Sequence, residues 1–327
     1  MKIFVTGGAG YVGSACLRHL LTEGHEVKAY DNLVQGHEAA VPTGLLVKGD
    51  ILDQEALTGA IGDFGPDAVM HFAAATCVGE SVEDPDFHYK NNVEGTRTLL
   101  AAMRTTGVKR MLFSSTCATY GMSPKCPMAE DSPQEPFSPY ARTKLAVEWL
   151  IRDCAEAYGL GFTLLRYFNA AGASPDGAYG EAHSPESHLI PIVLQVPLEQ
   201  REFVTVFGRD YPTPDGTCIR DYVHVDDLAS AHLLAIQATA VDTREVFNIG
   251  TGAGASVMDV ISACEKASGQ EIPQKDGVRR PGDPPALVAD PSKVKSTLGW
   301  EPKYPTIESV AETAWAWHKA HPTGYDD

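Results

Sequence analysis

The glycine-rich segment from Thr6 to Gly13 constrains the fold of this chain more than any other feature. It follows an apolar run, Lys2 to Thr6, which predicts a strand. It precedes Tyr11 to Glu23, where apolar residues recur near helical spacing until Gly24. A strand, a GxGxxG turn and a helix are typical of a dinucleotide-binding unit, because glycine lets the backbone approach a pyrophosphate at the helix N-terminus. The expected contacts are Gly7, Gly10, Tyr11, Val12 and Gly13.

An acidic residue, Asp31, ends the second predicted strand, which begins at Glu26. A carboxylate in this position accepts hydrogen bonds from the adenosine ribose hydroxyls and repels the additional phosphate of NADP. Asp31 therefore favours NAD as the cofactor. Asp50 and Ile51, at the end of the third predicted strand, are candidates for the adenine pocket.

The first half of the chain alternates short β-branched runs with longer helical patterns, which indicates a parallel sheet built from βαβ units. Helices are predicted at residues 11–23, 91–106 and 139–158. Strands are predicted at residues 2–6, 26–31, 45–50, 68–72, 110–115 and 162–167. The predicted fold class is α/β, with a Rossmann-type doubly wound parallel sheet and a smaller, partly interleaved α/β substrate domain.

The composition of the chain changes after Asn169. Residues 170–187 are rich in Gly, Ala, Ser and Pro, which indicates a loop that leaves the sheet. We expect the NAD-binding domain to span residues 1–175 and a substrate-binding domain to span residues 176–327. The apolar run from Arg244 to Gly250 predicts a strand that returns to the first sheet. The return is expected over about residues 225–252.

Composition excludes several classes of protein. The formal net charge of −17 disfavours nucleic acid as a partner, because a duplex binder needs a basic face. No apolar run approaches the roughly 18 residues that cross a bilayer, so no membrane role is expected. The N-terminus reads as a strand rather than a signal peptide, and seven cysteines without CxxC pairs argue against a disulfide framework. We expect a cytoplasmic protein with no HExxH-type metal site.

Tyr140 and Lys144 form a YxxxK pattern within a predicted helix, and the i,i+4 spacing places both side chains on one face. A tyrosine acting as a base at neutral pH needs its phenolate stabilised by about 4 kcal/mol for a pKa shift of roughly three units. A lysine ammonium and a positively charged nicotinamide can provide that stabilisation. Upstream, Ser114 to Thr116 ends a predicted strand at the carboxyl edge of the sheet, so a hydroxyl there can meet a ligand.

These motifs together resemble the extended short-chain dehydrogenase/reductase family over essentially the whole length, and within it the enzymes that epimerise UDP-sugars at C4. The later stretches discriminate best, above all PTPDGTCIRDYVHV at residues 212–225. Other matching stretches are TGGAGYVGS (6–14), DN (31–32), GDI (49–51), HFAA (71–74), VGES (78–81), NNVEGT (91–96), FSSTCATYG (113–121), SPYARTK (138–144), LRYFNAAGA (165–173), HLIP (188–191), FNIGTG (247–252) and RRPGD (279–283).

The resemblance implies NAD-dependent interconversion of UDP-glucose and UDP-galactose through a transient 4-keto sugar, by a homodimer that pairs near residues 91–106 and 139–158. It implies that Tyr140 is the acid-base residue, that Thr116 assists proton transfer and that Lys144 tunes the tyrosine and holds the nicotinamide ribose. Further NAD contacts are then expected at Asn32, Phe72, Ala73, Ala74, Asn92, Ser114 and Tyr167. The UDP-sugar is expected at Thr116, Asn169, His188, Leu189, Val206, Phe207, Arg220, Arg280 and Asp283.

The sequence leaves alternatives open. Leu287 occupies a position that in this family helps set room for an N-acetyl group, so a UDP-N-acetylhexosamine or another UDP-sugar is a second candidate substrate. A nucleotide-sugar dehydratase or decarboxylase usually carries an acid shortly after the Ser/Thr, where this chain has Cys117 and Ala118. A non-catalytic NAD-binding protein is the remaining alternative. Thr76 stands where many epimerases have a lysine that helps bind the cofactor.

Overall fold

The structure is a computed structural model that describes residues 1–122, 126–280 and 282–326. Pro281, which belongs to the RRPGD match, lies outside the described residues. The strands are β1 (Lys2–Thr6), β2 (Glu26–Asp31), β3 (Leu46–Lys48), β4 (Ala68–His71), β5 (Arg110–Thr116), β6 (Gly161–Tyr167), β7 (Asn169–Ala171), β8 (Val204–Phe207), β9 (Ile219–Arg220), β10 (Tyr222–His224), β11 (Arg244–Ile249), β12 (Ala255–Ser256), β13 (Gln274–Gly277) and β14 (Ala286–Leu287).

The helices alternate with the strands in the first half of the chain, and five further helices lie among the short strands in the described part of the second half. They are α1 (Tyr11–Thr22), α2 (Gln54–Phe64), α3 (Val78–Glu83), α4 (Pro85–His88), α5 (Gly95–Thr106), α6 (Pro139–Tyr158), α7 (Leu189–Leu194), α8 (Val225–Ala238), α9 (Val257–Ser268), α10 (Ser292–Leu298) and α11 (Ile307–Ala320). Within the described ranges, no helix is both long and apolar enough to span a membrane.

Seven parallel strands form the central sheet in the order β11-β6-β5-β4-β1-β2-β3. The order reverses between β1 and β4, so the carboxyl ends of these strands border a crevice where ligands bind in folds of this type. One buried apolar cluster joins α1 and α8 to one face of the sheet, and another joins α2, α5 and α6 to the other face. This architecture confirms the predicted fold class.

The predicted strands of the first half are all present, and β3 is shorter than expected. The chain turns after Lys48 because the Asp50 carboxylate accepts the amide of Leu52 and holds a turn there. The predicted helix at residues 91–106 also differs. It is an α-helix only from Gly95, and a π-helical segment, Tyr89–Glu94, precedes it.

A smaller region is built from segments on both sides of β11 in the chain. β7 pairs with β10 outside the central sheet, and β8 pairs with β13 beside α7, α9 and α11, which share a third buried apolar cluster. α8 follows β10, and β11 then joins the edge of the central sheet beside β6. On the basis of this connectivity, we propose that one domain spans residues 1–175 and the other spans residues 176–327. We also propose that about residues 225–252 return to the first domain.

Candidate active site

The glycine-rich turn brings the start of α1 against the loop after β4. Gly7 has φ +72°, and a side chain on it would overlap the backbone of Ala73. A side chain on Gly13 would overlap the carbonyl of Gly7. Gly10 is the N-cap of α1 and provides no side chain to bond the first free amides. The turn therefore presents backbone N–H groups and a helix N-terminus, which fit a pyrophosphate.

Asp31 lies beside this turn and also braces it. Its carboxylate accepts hydrogen bonds from the amides of Ala9, at 3.0 Å, and Leu33, at 2.9 Å. Burial raises the pKa of Asp31, and these two hydrogen bonds oppose that effect. Asn32 donates to Asp50 at 3.2 Å, which links the ends of β2 and β3. An acid at this edge suits the recognition of ribose hydroxyls.

Asn92 connects the loop after β4 to α6. Its amide group accepts from the backbone of Ala75 at 2.7 Å and donates to the carbonyl of the same residue at 3.0 Å. It also donates to the Thr143 hydroxyl at 2.9 Å. The structure therefore gives Asn92 a bracing contact, with Phe72, Ala73 and Ala74 in the segment just before Ala75. The buried Ile51 side chain packs against Gly95 at the start of α5.

Thr116, Tyr140 and Lys144 meet at the end of β5. Ser138 caps α6 by accepting the Ala141 amide at 3.2 Å, so Tyr140 lies in the first turn and Lys144 one turn later. Lys144 is buried and donates through Nζ to the carbonyl of Ser114 at 2.9 Å. The Thr116 side chain lies close enough to Tyr140 to lower the pKa of the tyrosine. The three predicted catalytic groups thus face one site.

Burial dominates the electrostatics of this group. It lowers the pKa of Lys144 to about 7, against the opposing influence of Glu148. Burial and the neighbouring Tyr167 raise the pKa of Tyr140, and the Thr116 side chain offsets only part of the increase. Tyr167 itself shares a hydrogen bond of 2.6 Å with the Ser114 hydroxyl. The protein's own groups therefore hold Tyr140 as a neutral phenol, so a phenolate there needs additional positive charge.

A buried ion pair behind Lys144 was not predicted from the sequence. Glu148 and Arg166 lie within 2.6 Å, and both are almost fully buried. Ser115 donates to Glu148 at 2.5 Å, and Arg166 donates to the Tyr120 hydroxyl at 3.0 Å. Two signals were available: the i,i+4 spacing of Lys144 and Glu148, and a single arginine within an otherwise apolar strand.

The predicted arginines lie on a second group of elements. Arg220, on β9, forms an ion pair with Asp283. Arg280 lies 4.5 Å from the centre of the Phe207 ring. Arg220 also lowers the pKa of the Cys117 thiol, which burial raises to about 12, so it acts on the residue that follows Thr116. Two cationic groups therefore lie on the side of the site that is expected to hold a diphosphate.

Three predicted substrate contacts line one cleft. Asn169, His188 and Leu189 share it with Tyr222. Val206 is fully buried in the core of the smaller region, whereas the neighbouring Phe207 is 40% exposed. The structure thus brings Phe207, but not the Val206 side chain, to the surface of the candidate site.

His188 belongs to a group that the sequence did not predict. The structure places three titratable side chains around it, Glu181, His183 and Glu186, and the ligand atoms of all four residues lie within 4.8 Å of one another. The carboxylate of Glu181 raises the pKa of His188 to about 11. The spacing ExHxxExH at residues 181–188 was the available signal, and it differs from the HExxH pattern that was searched for.

Comparison with known proteins identifies the family of this chain. The model of the NAD dependent epimerase/dehydratase family matches residues 3–250. A UDP-glucose 4-epimerase of Halalkalibacterium halodurans is 52% identical over 99% of this chain and 98% of its own length. The structure of UDP-glucose 4-epimerase from Brucella ovis in complex with NAD is 44% identical, with a TM-score of 0.94 and 99% of each chain covered. That of the Bifidobacterium longum enzyme with NAD+ and UDP is 37% identical, with a TM-score of 0.94, covering 99% of this chain and 100% of that one.

Proposed function

The chain belongs to the NAD-dependent epimerase/dehydratase family, and from this premise we propose that it interconverts UDP-glucose and UDP-galactose through a transient 4-keto sugar. One observation carries the proposal for the chemistry. Tyr140, Thr116 and the buried Lys144 converge at the carboxyl edge of the sheet, next to the crevice bordered by the glycine-rich turn. At such a place a proton can leave a sugar hydroxyl oxygen while a hydride leaves the carbon that bears this oxygen.

Tyr140 takes the proton of the sugar 4-hydroxyl and returns it after the sugar has turned. Bound NAD supplies the chemistry of accepting and returning the C4 hydride. Lys144 provides a positive group one helical turn from Tyr140, and the nearby Thr116 hydroxyl can hydrogen bond to the phenol oxygen. Because burial alone keeps Tyr140 neutral, we expect it to act as a base only when added positive charge lowers its pKa.

The residues around the glycine-rich turn suit NAD. Gly7, Gly10 and Gly13 leave the first amides of α1 free for a pyrophosphate, and Asp31 provides an acceptor for ribose hydroxyls. The remaining proposed contacts lie at the carboxyl edge of the sheet, in the loops that follow it and on neighbouring helices: Tyr11, Val12, Asn32, Asp50, Ile51, Phe72, Ala73, Ala74, Asn92, Ser114, Tyr140, Lys144 and Tyr167.

The nucleotide end of the substrate needs firm anchoring, because a sugar that presents both faces must turn about its diphosphate linkage. Arg220 and Arg280 can bind the diphosphate through charge-assisted hydrogen bonds, and Phe207 offers an exposed ring for the uracil. Binding energy concentrated at the UDP end leaves the sugar free to rotate. Asn169, His188, Leu189 and Asp283 complete the proposed substrate contacts, together with the backbone of Val206, whose side chain is buried.

An elimination reaction is disfavoured by the residue that follows Thr116. Cys117 is buried, and its pKa is raised to about 12, so it stands as a neutral thiol where a dehydratase would carry an acid. UDP-N-acetylhexosamines remain second candidates through Leu287, which lies in β14 directly beside Arg220 of β9.

Replacing Tyr140 with phenylalanine tests the mechanism. We expect Tyr140→Phe to lower kcat by at least about a hundredfold, because it removes the only proposed acid-base group while preserving the ring. Tyr158→Phe, at the exposed end of the same helix, is the matched control and should keep the wild-type rate. The assay follows both UDP-hexoses and their N-acetylated forms. Interconversion by Tyr140→Phe at the wild-type rate would falsify the assignment.

We also propose a cytoplasmic homodimer. All seven cysteines are unpaired, which suits a reducing compartment. Trp149 of α6 is 58% exposed, and Val82 of α3 and Tyr89, just after α4, are also exposed, close to the helices through which pairing is expected.

A further inference from the structure

We propose that Glu181, His183, Glu186 and His188 form a zinc site that fixes the loop before α7. Four side chains of the two types that bind zinc most readily besides cysteine point their ligand atoms at one another. This inference does not depend on which sugar the protein takes, because none of its evidence concerns the substrate.

The distances suit four-coordinate zinc. Glu181 Oε1 lies 3.2 Å from His183 Nδ1 and 2.6 Å from His188 Nδ1. The Glu186 carboxylate oxygens lie 3.7 Å from His183 Nδ1 and 3.4 Å from His188 Nδ1. A tetrahedron whose ligands stand about 2.1 Å from the ion has edges of about 3.4 Å. The separations of Glu181 Oε1 from His183 Nδ1 and of Glu186 Oε1 from His188 Nδ1 fall near that value. Binding one ion would require Glu181 and His188 to move apart by about 0.8 Å and a single Glu186 oxygen to face both imidazoles, because the 3.7 Å separation from His183 is measured to the other oxygen of Glu186.

Hydrogen bonding inside the group is incomplete without an ion. Glu181 is 3% exposed, and its Oε1 atom faces the Nδ1 atoms of His183 and His188 at ion-pair distance, but at angles that give no well-formed hydrogen bond among the described residues. The same holds for the buried Nδ1 atom of His183. A buried polar atom without a partner is costly, and coordination of one cation would satisfy both atoms together.

The competing arrangement is a cluster of ion pairs between protonated imidazoles and carboxylates. In that arrangement two positively charged rings would stand with their centres 5.1 Å apart, on the same pair of carboxylates. Zinc replaces both protons with one ion and removes the repulsion between the rings. Two imidazole nitrogens and two carboxylate oxygens favour zinc over magnesium or calcium, which prefer oxygen ligands alone.

The proposed zinc site lies in a loop that contacts other parts of the candidate active site, so a bound ion would have a structural role. The loop that carries it contacts the glycine-rich turn, because the His183 ring meets the Tyr11 ring edge to face at 6.3 Å. The same loop accepts a hydrogen bond from His37 at the Ala182 carbonyl, at 2.8 Å. His188 is the N-cap residue of α7 and also lines the cleft with Asn169 and Leu189. A bound ion would therefore hold the cleft against the turn.

The experiment measures zinc on the whole protein with any affinity tag removed. After treatment with a chelator and dialysis at pH 8, the protein is titrated with zinc against a chromophoric chelator, and its melting temperature is recorded with and without zinc. Cobalt(II) titration reports the geometry, because tetrahedral cobalt absorbs visible light strongly. The variants are His183→Gln and Glu186→Gln, with His321→Gln as a histidine control outside the cluster. Circular dichroism checks that each variant is folded.

We expect one zinc per chain, a tetrahedral cobalt spectrum and a higher melting temperature with zinc in the wild type and in His321→Gln. Each cluster variant should bind zinc more than about tenfold more weakly and lose the thermal effect. Equal zinc affinity in the wild type and in both cluster variants would overturn the proposal, as would no stoichiometric binding in the wild type. In either case the four side chains form ion pairs only.

Discussion

At the scale of single residues, Asp31 has two tasks. One oxygen of its carboxylate accepts the amide of Ala9 in the glycine-rich turn and the other accepts the amide of Leu33, and we propose that the carboxylate also binds the adenosine ribose of NAD. Asparagine loses the charge and keeps only one acceptor oxygen, so one of these two amides loses its acceptor. The substitution therefore acts on ligand recognition and also weakens one local hydrogen bond.

Asp31→Asn should weaken NAD binding about tenfold, because a charge-assisted hydrogen bond becomes a neutral one. It should also narrow the preference for NAD over NADP, because the repulsion of the extra phosphate is removed. Calorimetric titration of cofactor-stripped protein measures both affinities. Asp63→Asn, on the exposed side of α2, is the matched control. An unchanged NAD to NADP ratio in Asp31→Asn would remove the residue from the ribose site.

Residues within one local pattern were predictable from the sequence, and residues joined only by tertiary contact were not. Tyr140 and Lys144 share a helix, so their spacing alone predicted a common face. Glu148 and Arg166 are 18 positions apart on different elements, and their pairing depends on how α6 packs on β6. The residues of β8 alternate between the core and the surface, and the Val206 side chain faces the core. The residue types in this short strand did not reveal which of its side chains would be buried.

At the scale of elements, α6 carries both Tyr140 and Lys144, so its N-terminus sets the geometry of the site. Ser138 caps this end with a hydrogen bond to the Ala141 amide at 3.2 Å, only two positions before the tyrosine. Thr306 caps α11 in the same way through the Ser309 amide at 3.3 Å. The two caps have the same chemistry, but only one adjoins the proposed catalytic group.

Ser138→Ala and Thr306→Ala should each destabilise the protein by about 1 kcal/mol, the usual cost of a lost cap. Only Ser138→Ala should also lower kcat, by severalfold, because the first turn of α6 then holds Tyr140 less firmly. Urea unfolding gives the stabilities, and the epimerase assay gives kcat. Equal kcat in the two variants would contradict a positioning role for the cap.

Long helices and strands could be predicted from the sequence, whereas very short ones could not. Strands of four or more residues in the first half carried enough apolar pattern to be placed, and helices capped by glycine, such as α6 at Gly159, ended where expected. The paired strands β9, β12 and β14 have two residues each, which is too few for any periodicity. The π-helical segment at residues 89–94 has no sequence signature of its own.

At the scale of the whole molecule, the net charge of −17 coexists with a proposed site for a doubly charged diphosphate. We propose that local placement resolves this, because Arg220 pairs with Asp283 and Arg280 lies over the ring of Phe207, which are two of the proposed substrate contacts. In the sequence, the only sign that the two regions are interleaved was the apolar run at residues 244–250. The fold shows that this run forms β11 and pairs with β6. Long-range pairing of this kind is not encoded in local pattern.

The exposed apolar surface near α6 argues for a second copy of the chain as its partner. Trp149 is 58% exposed, and Val82 and Phe87, on the helices that pack beside α6, are 66% and 41% exposed. Large exposed apolar side chains close together mark an interaction surface, and a charge in the centre of such a surface is strongly unfavourable once it is covered.

Trp149→Glu should therefore convert a dimer into a monomer, which light scattering after gel filtration detects as a halved molar mass. Val241→Glu places the same charge on an exposed apolar residue after α8 and should leave the dimer intact. Tyr140 and Lys144 lie on the same helix as Trp149. If dimerisation restricts the motion of α6, the monomer should have a lower kcat while it still binds NAD. A wild-type chain that elutes with the mass of one copy at every concentration would refute pairing through this surface.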